Sequence, residues 1–420
     1  MSTHLNDPSQ AAAQRRRLLD ACRKHVSLAT AHYAEFMHAG VEARSLGTRV
    51  WDESGKQYLD CGGYGVFILG HCHPRIVEAV VEQVRTHPTA TQLLLNRLEV
   101  EAAETLARVG PPGLDQVYFG LSGAEAVETA LKLARLNNRR HIIAMENGYH
   151  GMTLGALSVT GREAYRRPFE PLLPGVEFVP FGDSTALCEA LDRSPEACVL
   201  LEPVQGEAGV IIPHAGYLRK VEQACRARDA FLIFDEIQTG LGRLGAWWGV
   251  NREDVIPDLL LVGKALSGGI VPVSAVVGSA HVFRPLSRDP MIHTSTFSGA
   301  PIAMAAAKAT IATIEEEDVI GRAASLGGRL GRIVAAAVAD ACPSLVREVR
   351  GVGLLIAIEW KSDFLAIDFL TEMLDRRVLL SHSMNAAKVT RLTPPAFLTD
   401  EDLEMLEGAL KDSCRALMER

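Results

Sequence analysis

Short runs of apolar residues that end in charged side chains recur along the middle of the chain. The clearest runs are residues 231–234, which end at Asp235, and residues 259–262, which Lys264 follows closely. Apolar runs of this length, bounded by turn residues, are typical of strands buried on both faces. In an open α/β sheet the ligand crevice lies at the carboxyl ends of the parallel strands. We therefore expect Asp235 and Lys264 to converge in one site.

A strand, a tight loop and a helix start are predicted between residues 116 and 134. Ser122 and Glu125 have the spacing of a capping box, and apolar residues follow at helical spacing. A helix N-terminus presents free N–H groups and a partial positive charge, which favour a phosphate. Because this loop accompanies Asp235 and Lys264, we interpret it as a phosphate-binding loop.

Outside these apolar runs, other sequence patterns predict a helix, a hairpin and further strands. Residues 11–38 can be helical, residues 49–60 have the alternation and turn of a hairpin, and residues 349–359 indicate strands of a smaller C-terminal domain. The apolar stretch 259–280 is interrupted by charged, glycine and proline residues, so two strands joined by a loop are favoured over a membrane span.

Composition narrows the function classes. The chain has 420 residues, is 48% hydrophobic and 22% charged, and carries a net charge of -8, which is ordinary globular chemistry. No basic run with interleaved aromatic residues supports nucleic-acid binding. The eight cysteines are scattered without a Cys-x-x-Cys pair, so we expect reduced thiols and a cytoplasmic location. His71, Cys72 and His73 lack a second ligand pair at the usual spacing, and no metal site is predicted.

Lys264 and Asp235 together indicate a specific chemistry. A lysine ammonium at the end of a buried strand is costly to desolvate, so it should lose its proton readily, as a Schiff-base amine requires. A carboxylate beside it would keep the ring nitrogen of pyridoxal phosphate protonated. A surface lysine after an edge strand is the simpler alternative. A Walker B interpretation of Asp235 fails because no Gly-x-x-x-x-Gly-Lys-Ser/Thr loop is present.

These residues, with Leu-Glu-Pro-Val-Gln-Gly-Glu at 201–207 and His-Thr-Ser-Thr-Phe at 293–297, resemble the class III pyridoxal-phosphate aminotransferases. The resemblance covers about residues 50–398. Putrescine aminotransferases are the most similar group, since they share the segments at 167–175 and 385–388.

The resemblance implies a fold and an assembly. It implies a type I pyridoxal-phosphate fold, α/β, with a mostly parallel seven-stranded sheet in a large domain and a small α+β domain. The implied divisions are an N-terminal segment at 1–70, a large cofactor-binding domain at 71–305 and a small domain at 306–420. It also implies a homodimer with active sites at the interface, and neither nucleic acid nor membrane as partner.

The resemblance also implies roles for individual residues. Lys264 and Asp235 would be catalytic, the former as Schiff-base lysine and general base. The cofactor would be held by Ser122, Gly123, Ala124, Tyr149, His150, Glu202, Asp235, Gln238, Lys264 and Thr296. The substrate would be contacted by Arg391, Glu207, Tyr64, Val66 and Met152.

Three of these roles carry information about substrate and assembly. Arg391 would hold a carboxylate in bidentate fashion, and pairing with Glu207 would hide its charge when an amine without a carboxylate is bound. Met152 stands where ornithine and acetylornithine enzymes have arginine and putrescine enzymes have lysine, so a second carboxylate is not expected there. Thr296 would reach the phosphate of the neighbouring subunit.

The function expected is transamination of a diamine or ω-amino compound, or a related amino acid, with a 2-oxo acid acceptor. Met152, and Leu121 and Ala300 where relatives have asparagine, depart from the family near the pocket. Elimination, replacement or carbon–carbon bond formation on an α-amino acid therefore stays an alternative. A cofactor-binding scaffold without turnover is a third.

Overall fold

The computed structural model describes residues 8–194 and 196–420. The predicted N-terminal segment 1–70 therefore begins outside the described residues. Its helical stretch forms two helices rather than one, and its hairpin is present. The elements of this segment are α1 (Pro8–His25), α2 (Leu28–Phe36), β1 (Glu42–Leu46), β2 (Arg49–Asp52) and β3 (Gln57–Asp60).

The middle of the chain alternates helices and strands. Its elements are α3 (Pro74–Thr86), α4 (Arg97–Val109), β4 (Gln116–Gly120), α5 (Gly123–Leu136), β5 (Ile142–Met145), α6 (Leu154–Val159), α7 (Glu163–Arg166), β6 (Val176–Val179), α8 (Ser184–Arg193), β7 (Cys198–Leu201), α9 (Tyr217–Ala227), β8 (Phe231–Asp235), β9 (Leu259–Val262), β10 (Ser274–Gly278) and α10 (Ala280–Arg288).

The strands β4 to β10 form one seven-stranded sheet in the order β4-β10-β9-β8-β7-β5-β6. Strands β9, β8, β7, β5 and β6 pair in parallel, whereas β10 runs antiparallel to both of its neighbours. Every residue of β5, β7, β8 and β9 is buried, because helices cover both faces of the sheet. The predicted mostly parallel seven-stranded sheet is confirmed.

The last part of the chain contains a second, antiparallel sheet. Its elements are α11 (Pro301–Glu316), α12 (Val319–Ala341), β11 (Val346–Val352), β12 (Leu355–Trp360), α13 (Asp363–Asp375), β13 (Val378–Leu379), β14 (Ser381–His382), β15 (Val389–Leu392) and α14 (Asp400–Met418). Strands β11, β12, β15 and β14 form the sheet in that order, and α12 packs against α14.

Two contacts bear on the predicted domain limits. Strand β13 pairs in parallel with β3, so the N-terminal segment shares a sheet with the C-terminal part. Helix α11 spans the predicted boundary between residues 305 and 306 and packs on α3 and α4 of the large domain. A boundary between residues 305 and 306 would divide this packed helix. We propose instead that the small domain begins after α11.

Among the described residues, no helix combines the length and the apolar character needed to cross a membrane.

Candidate active site

A cavity of about 270 Å³ lies at the carboxyl ends of the central strands. It is bounded by residues that follow β7, β8 and β9 and by the N-terminus of α5. The residues lining it are Gly123, Ala124, Tyr149, His150, Gly151, Met152, Glu202, Glu207, Asp235, Ile237, Gln238 and Lys264. The convergence of Asp235 and Lys264 expected from the apolar runs is therefore present in the fold.

Lys264 follows the end of β9 and adopts a left-handed backbone with φ +46°. A lysine rarely adopts this conformation, and such strain is typical of functional sites. Burial lowers the pKa of Lys264, and the charges of Glu207 and Asp235 oppose that shift only in part. The amine is therefore more easily deprotonated than that of a free lysine, as expected for a nucleophilic amine.

Asp235 is the last residue of β8, and its carboxylate is fixed on both oxygens. The His150 ring Nδ1 lies 2.7 Å from Asp235 Oδ2, and the backbone N–H of Ile237 donates to Oδ1 over 3.1 Å. Burial opposes protonation of His150, but the hydrogen bond to Asp235 and its charge outweigh burial and raise the pKa of His150. These two contacts hold the Asp235 carboxylate in one orientation at the cavity.

Glu202 directly follows β7 and is held by two backbone groups. The N–H groups of Tyr149 and Gly206 donate to its two carboxylate oxygens over 3.1 and 3.0 Å. Burial raises the pKa of Glu202 to about 7, although His150 acts in the opposite direction. Because it bonds to Tyr149 N–H, Glu202 positions the loop that carries Tyr149.

Glu207 and Arg391 form a buried ion pair. Arg391 Nη2 lies 2.8 Å from Glu207 Oε1, and the two side chains are 0% and 5% exposed. Burial opposes ionisation of Glu207, but the charges of Arg391 and Lys264 lower its pKa. The backbone N–H of Met384 donates to the second Glu207 oxygen over 3.0 Å. The pairing that the family resemblance implies is thus present.

Gln238 connects this ion pair to the glycine-rich loop at residues 62–65. Arg391 Nη1 donates to Gln238 Oε1 over 3.3 Å, and Gln238 Nε2 donates to the Tyr64 carbonyl over 3.4 Å. A Cβ on Gly206 would lie 1.7 Å from Gln238 Oε1, so only glycine leaves room for this side chain. Gln238 therefore lies between Arg391 and the cavity.

The hydrogen bonds of the loop before α5 differ from those of the predicted capping box in one donor. Ser122 accepts from the Glu125 N–H over 3.2 Å, as predicted, but Glu125 Oε2 accepts from Leu121 N–H over 2.5 Å rather than from Ser122. Gly123 and Ala124 line the cavity, whereas Ser122 is exposed beside it. The N-terminus of α5 faces the cavity through these first two residues.

Arg391 and four other predicted site residues do not line the cavity. Ser122 and Thr296 are exposed, and the Thr296 carbonyl accepts from Gln92 Nε2 over 3.3 Å. The Tyr64 ring packs edge-on against His382 with a centroid distance of 6.4 Å. Val66 is half-buried nearby. The substrate and cofactor roles of these residues stay predictions.

The sequence reasoning missed two lining residues, Gly151 and Ile237. Ile237 lies in the turn after β8, where the alternation of strand side chains no longer indicates which residue faces the site. Gly151 has φ +121°, and a Cβ there would lie 2.7 Å from Ala124 Cβ. Here two chain segments approach closely, which composition alone does not reveal.

Comparison with known proteins gives one family. Residues 30–413 match the model described as aminotransferase class-III. A structure of the ornithine aminotransferase from Toxoplasma gondii, in which pyridoxal phosphate (PLP) partly occupies the active site, is 33% identical; the match covers 96% of this chain and 94% of that one, with a TM-score of 0.88.

Other solved structures are similar over most of the chain. An (S)-enantioselective ω-transaminase from Thermomicrobium roseum is 27% identical, with 96% of this chain and 99% of that chain covered and a TM-score of 0.88. The ornithine δ-aminotransferase of Plasmodium falciparum is 30% identical, with 90% and 94% covered and a TM-score of 0.79.

Proposed function

The chain belongs to the class III aminotransferases, and we propose that the cavity around Lys264 and Asp235 is where it transfers an amino group from a diamine or ω-amino compound to a 2-oxo acid. The family is PLP-dependent, so PLP-dependent transamination of amines is the activity of this enzyme. The assignment of residues and the class of donor are the parts that we propose.

The chemistry of the lining residues fits PLP. The amine of Lys264, with its lowered pKa, suits the aldehyde, and the Asp235 carboxylate, held by His150, suits a protonated ring nitrogen. The free N–H groups of Gly123 and Ala124 at the start of α5 suit the phosphate. Tyr149 provides an aromatic face for the ring, and Gln238 an amide for its phenolic oxygen.

When bound, PLP supplies an electron-withdrawing ring that stabilises negative charge on the substrate carbon. Lys264 Nζ removes the proton from the carbon that bears the amino group, because its neutral form is a competent base. Asp235 places a carboxylate at the end of β8, and His150 holds that carboxylate in place. Glu202 orients the Tyr149 loop.

The donor class rests on the buried pair of Arg391 and Glu207. The 2-oxo acid presents a carboxylate that Arg391 can bind in bidentate fashion. An amine donor without a carboxylate leaves Arg391 paired with Glu207, so no cation is buried alone. Met152, half-exposed at the cavity, offers no charge for a second carboxylate. The same site can thus accept the amine donor and the 2-oxo acid in turn.

The test is a spectral titration of the purified enzyme without an acceptor. A diamine such as 1,4-diaminobutane should abolish the visible absorption band of the lysine-bound cofactor, and a 2-oxo acid should restore it. A Lys264→Ala variant should lack the band altogether. A persistent longer-wavelength band with an α-amino acid, or release of a fragment with the band unchanged, would favour elimination or carbon–carbon bond chemistry instead.

We also propose that the enzyme is a homodimer with active sites at the interface. Three consecutive leucines, Leu93, Leu94 and Leu95, are 90%, 78% and 89% exposed. Their loop contacts the Thr296 loop through the Gln92 hydrogen bond, and Phe297 beside it is also exposed. Contiguous exposed apolar side chains of this kind are typical of subunit interfaces. Sedimentation analysis should give twice the chain mass.

A cytoplasmic location is the last part of the proposal. All eight cysteines, which lie within the described residues, carry free thiols, and five of them are buried. Unpaired buried thiols are the usual state in a reducing compartment.

A further inference from the structure

A second cavity, of about 630 Å³, lies at the other end of the central sheet. It is formed where α5 ends, where β8 begins and along α10. Five residues of β8 separate it from Asp235, a distance of roughly 13 Å. The 14 residues of α5 separate it from Gly123 by roughly 20 Å. It is therefore distinct from the active site.

Most of the ionisable side chains around this second cavity are basic. Arg139, Arg284, Arg288 and His281 line it, and Asp229 is the only carboxylate among its described lining residues. Three arginines against one carboxylate leave an excess of positive charge in a chain whose net charge is -8. The positive charge is therefore concentrated at this cavity.

Arg139, one of the residues that line this cavity, carries an unpartnered donor. The residue is 8% exposed, and its guanidinium lies 4.8 Å from the centre of the Phe231 ring. Its Nη2 lies 2.6 Å from Asp229 Oδ2, but its buried Nε has no hydrogen-bond partner among the described residues. A buried N–H group without an acceptor is unfavourable. The Asp229 side chain is 85% exposed, so the ion pair is screened and weak.

Arg284 and Arg288 face the same space from α10. Both side chains are exposed and lie one helical turn apart, so their positive charges repel each other. No carboxylate of a described residue forms an ion pair with either of them. Their charges are left without compensation at the cavity that Arg139 also lines.

We propose that this cavity binds a small phosphorylated anion. A phosphate presents several strong acceptor oxygens, which guanidinium groups recognise in bidentate fashion. It would satisfy the free Arg139 donor and reduce the repulsion between Arg284 and Arg288. The carbonyl end of α5 disfavours an anion, which explains why several arginines are needed. A long polyanion is disfavoured by the negative charge of the rest of the chain.

The experiment is calorimetric titration of the PLP-saturated holoenzyme with inorganic pyrophosphate at constant ionic strength. The visible absorption band is followed in parallel, because an unchanged band shows that the probe does not displace PLP. The Arg284→Gln/Arg288→Gln variant removes two exposed charges without touching the core. The matched control is Arg252→Gln/Arg332→Gln, which removes two exposed arginine charges elsewhere.

We expect saturable binding to the holoenzyme, weakened by about tenfold or more in the Arg284/Arg288 variant, which is the loss expected for a charged hydrogen bond. The control variant should bind within about twofold of the unmodified enzyme. Absence of saturable binding, equal weakening in both variants, or tighter binding of citrate than of pyrophosphate would each overturn the proposal. A change of sedimentation in the Arg284/Arg288 variant without pyrophosphate binding would instead assign the cavity to a subunit contact.

Discussion

Arg391 Nη2 and Glu207 Oε1 are 2.8 Å apart, with both side chains almost wholly removed from solvent. Breaking such a pair by removing one partner leaves a buried charge without compensation. Arg391→Ala should therefore raise KM for the 2-oxo acid by about 10- to 100-fold, the effect of losing a charged hydrogen bond of about 1.5–3 kcal/mol. KM for 1,4-diaminobutane should change much less. Steady-state kinetics with each substrate varied separately gives both values.

Glu207→Gln is the complementary variant. It frees the Arg391 cation, so it should impair the positively charged diamine more than the 2-oxo acid. Arg391→Lys keeps the charge but loses the planar fork, and should lie between the unmodified enzyme and Arg391→Ala. Equal increases of both KM values in Arg391→Ala would contradict the alternating role of the pair.

The lowered pKa of Lys264 predicts a pH dependence of cofactor capture. Only the neutral amine attacks an aldehyde, so the rate at which apoenzyme combines with PLP should rise with pH to a plateau. Because burial lowers the pKa of Lys264, the midpoint of this pH dependence should lie below the 10.5 of a free lysine. The carboxylate of Glu207 stabilises the ammonium, so Glu207→Gln should move the midpoint to still lower pH. Stopped-flow absorbance at a series of pH values measures it.

Glu104→Gln, an exposed change on α4, serves as the control and should leave this midpoint unaltered. A midpoint at or above that of free lysine, or a shift to higher pH in Glu207→Gln, would show that the amine is not controlled by these charges.

Thr296 is exposed in its own chain, and its predicted role in the neighbouring subunit can be tested by mixing subunits. Lys264→Ala and Thr296→Ala chains, each impaired alone, are refolded together. A mixed dimer would contain one site with both residues intact. Random pairing should then restore about a quarter of the activity of the unmodified enzyme. If Thr296 served its own chain, the mixture would show only the average of the two variants.

Gly206 and Gln238 offer a steric test of the site. A Cβ on residue 206 would lie 1.7 Å from Gln238 Oε1, so Gly206→Ala must displace the amide that accepts from Arg391. We expect kcat/KM to fall by about tenfold, equivalent to one hydrogen bond of about 1.4 kcal/mol. Gln238→Ala should have a similar effect, and the double variant should be no worse than either.

Gly331→Ala is the control for that test, because a Cβ there meets nothing within 4 Å. Additive losses in the Gly206/Gln238 double variant would show that Gly206 acts through another contact.

The strand-end residues were the part of the site that the sequence predicted best. Asp235 and Lys264 end apolar runs, and parallel topology requires such ends to meet at one edge of a sheet. The pairing of Glu207 with Arg391 came from the family resemblance, because the two residues lie far apart in the sequence and no local pattern connects them. Gly151 and Ile237 were missed, since lining depends on how closely neighbouring segments approach.

The limit of the large domain is difficult to predict from sequence for a related reason. The alanine-rich composition of α11 indicates a helix but not which body that helix packs on. Its burial against α3 and α4 depends on side-chain contacts across distant segments. Likewise Ser122 caps α5 as its local spacing predicts, whereas the partner of Glu125 depends on the loop path at Leu121.

Arg243 is a residue that no sequence pattern singled out, and it supports a final prediction. Its guanidinium is fully buried without an ion-pair partner among the described residues. It donates to the carbonyls of Leu354, Pro394 and Gly65 over 3.2, 2.6 and 3.4 Å. Burial lowers the pKa of Arg243 to about 9, so the side chain is still charged at neutral pH.

Arg243 thus joins the small domain to the glycine-rich loop beside Lys264. Arg243→Met retains much of the apolar stem but leaves buried carbonyls unpaired, at about 1–3 kcal/mol each, partly offset because a buried charge is removed. We expect a net loss of about 2 kcal/mol in the free energy of unfolding, measured by denaturant unfolding of the holoenzyme. Arg332→Met, on the exposed face of α12, should change it by less than about 0.5 kcal/mol. Equal stability of the two variants would show that Arg243 does not hold these segments together.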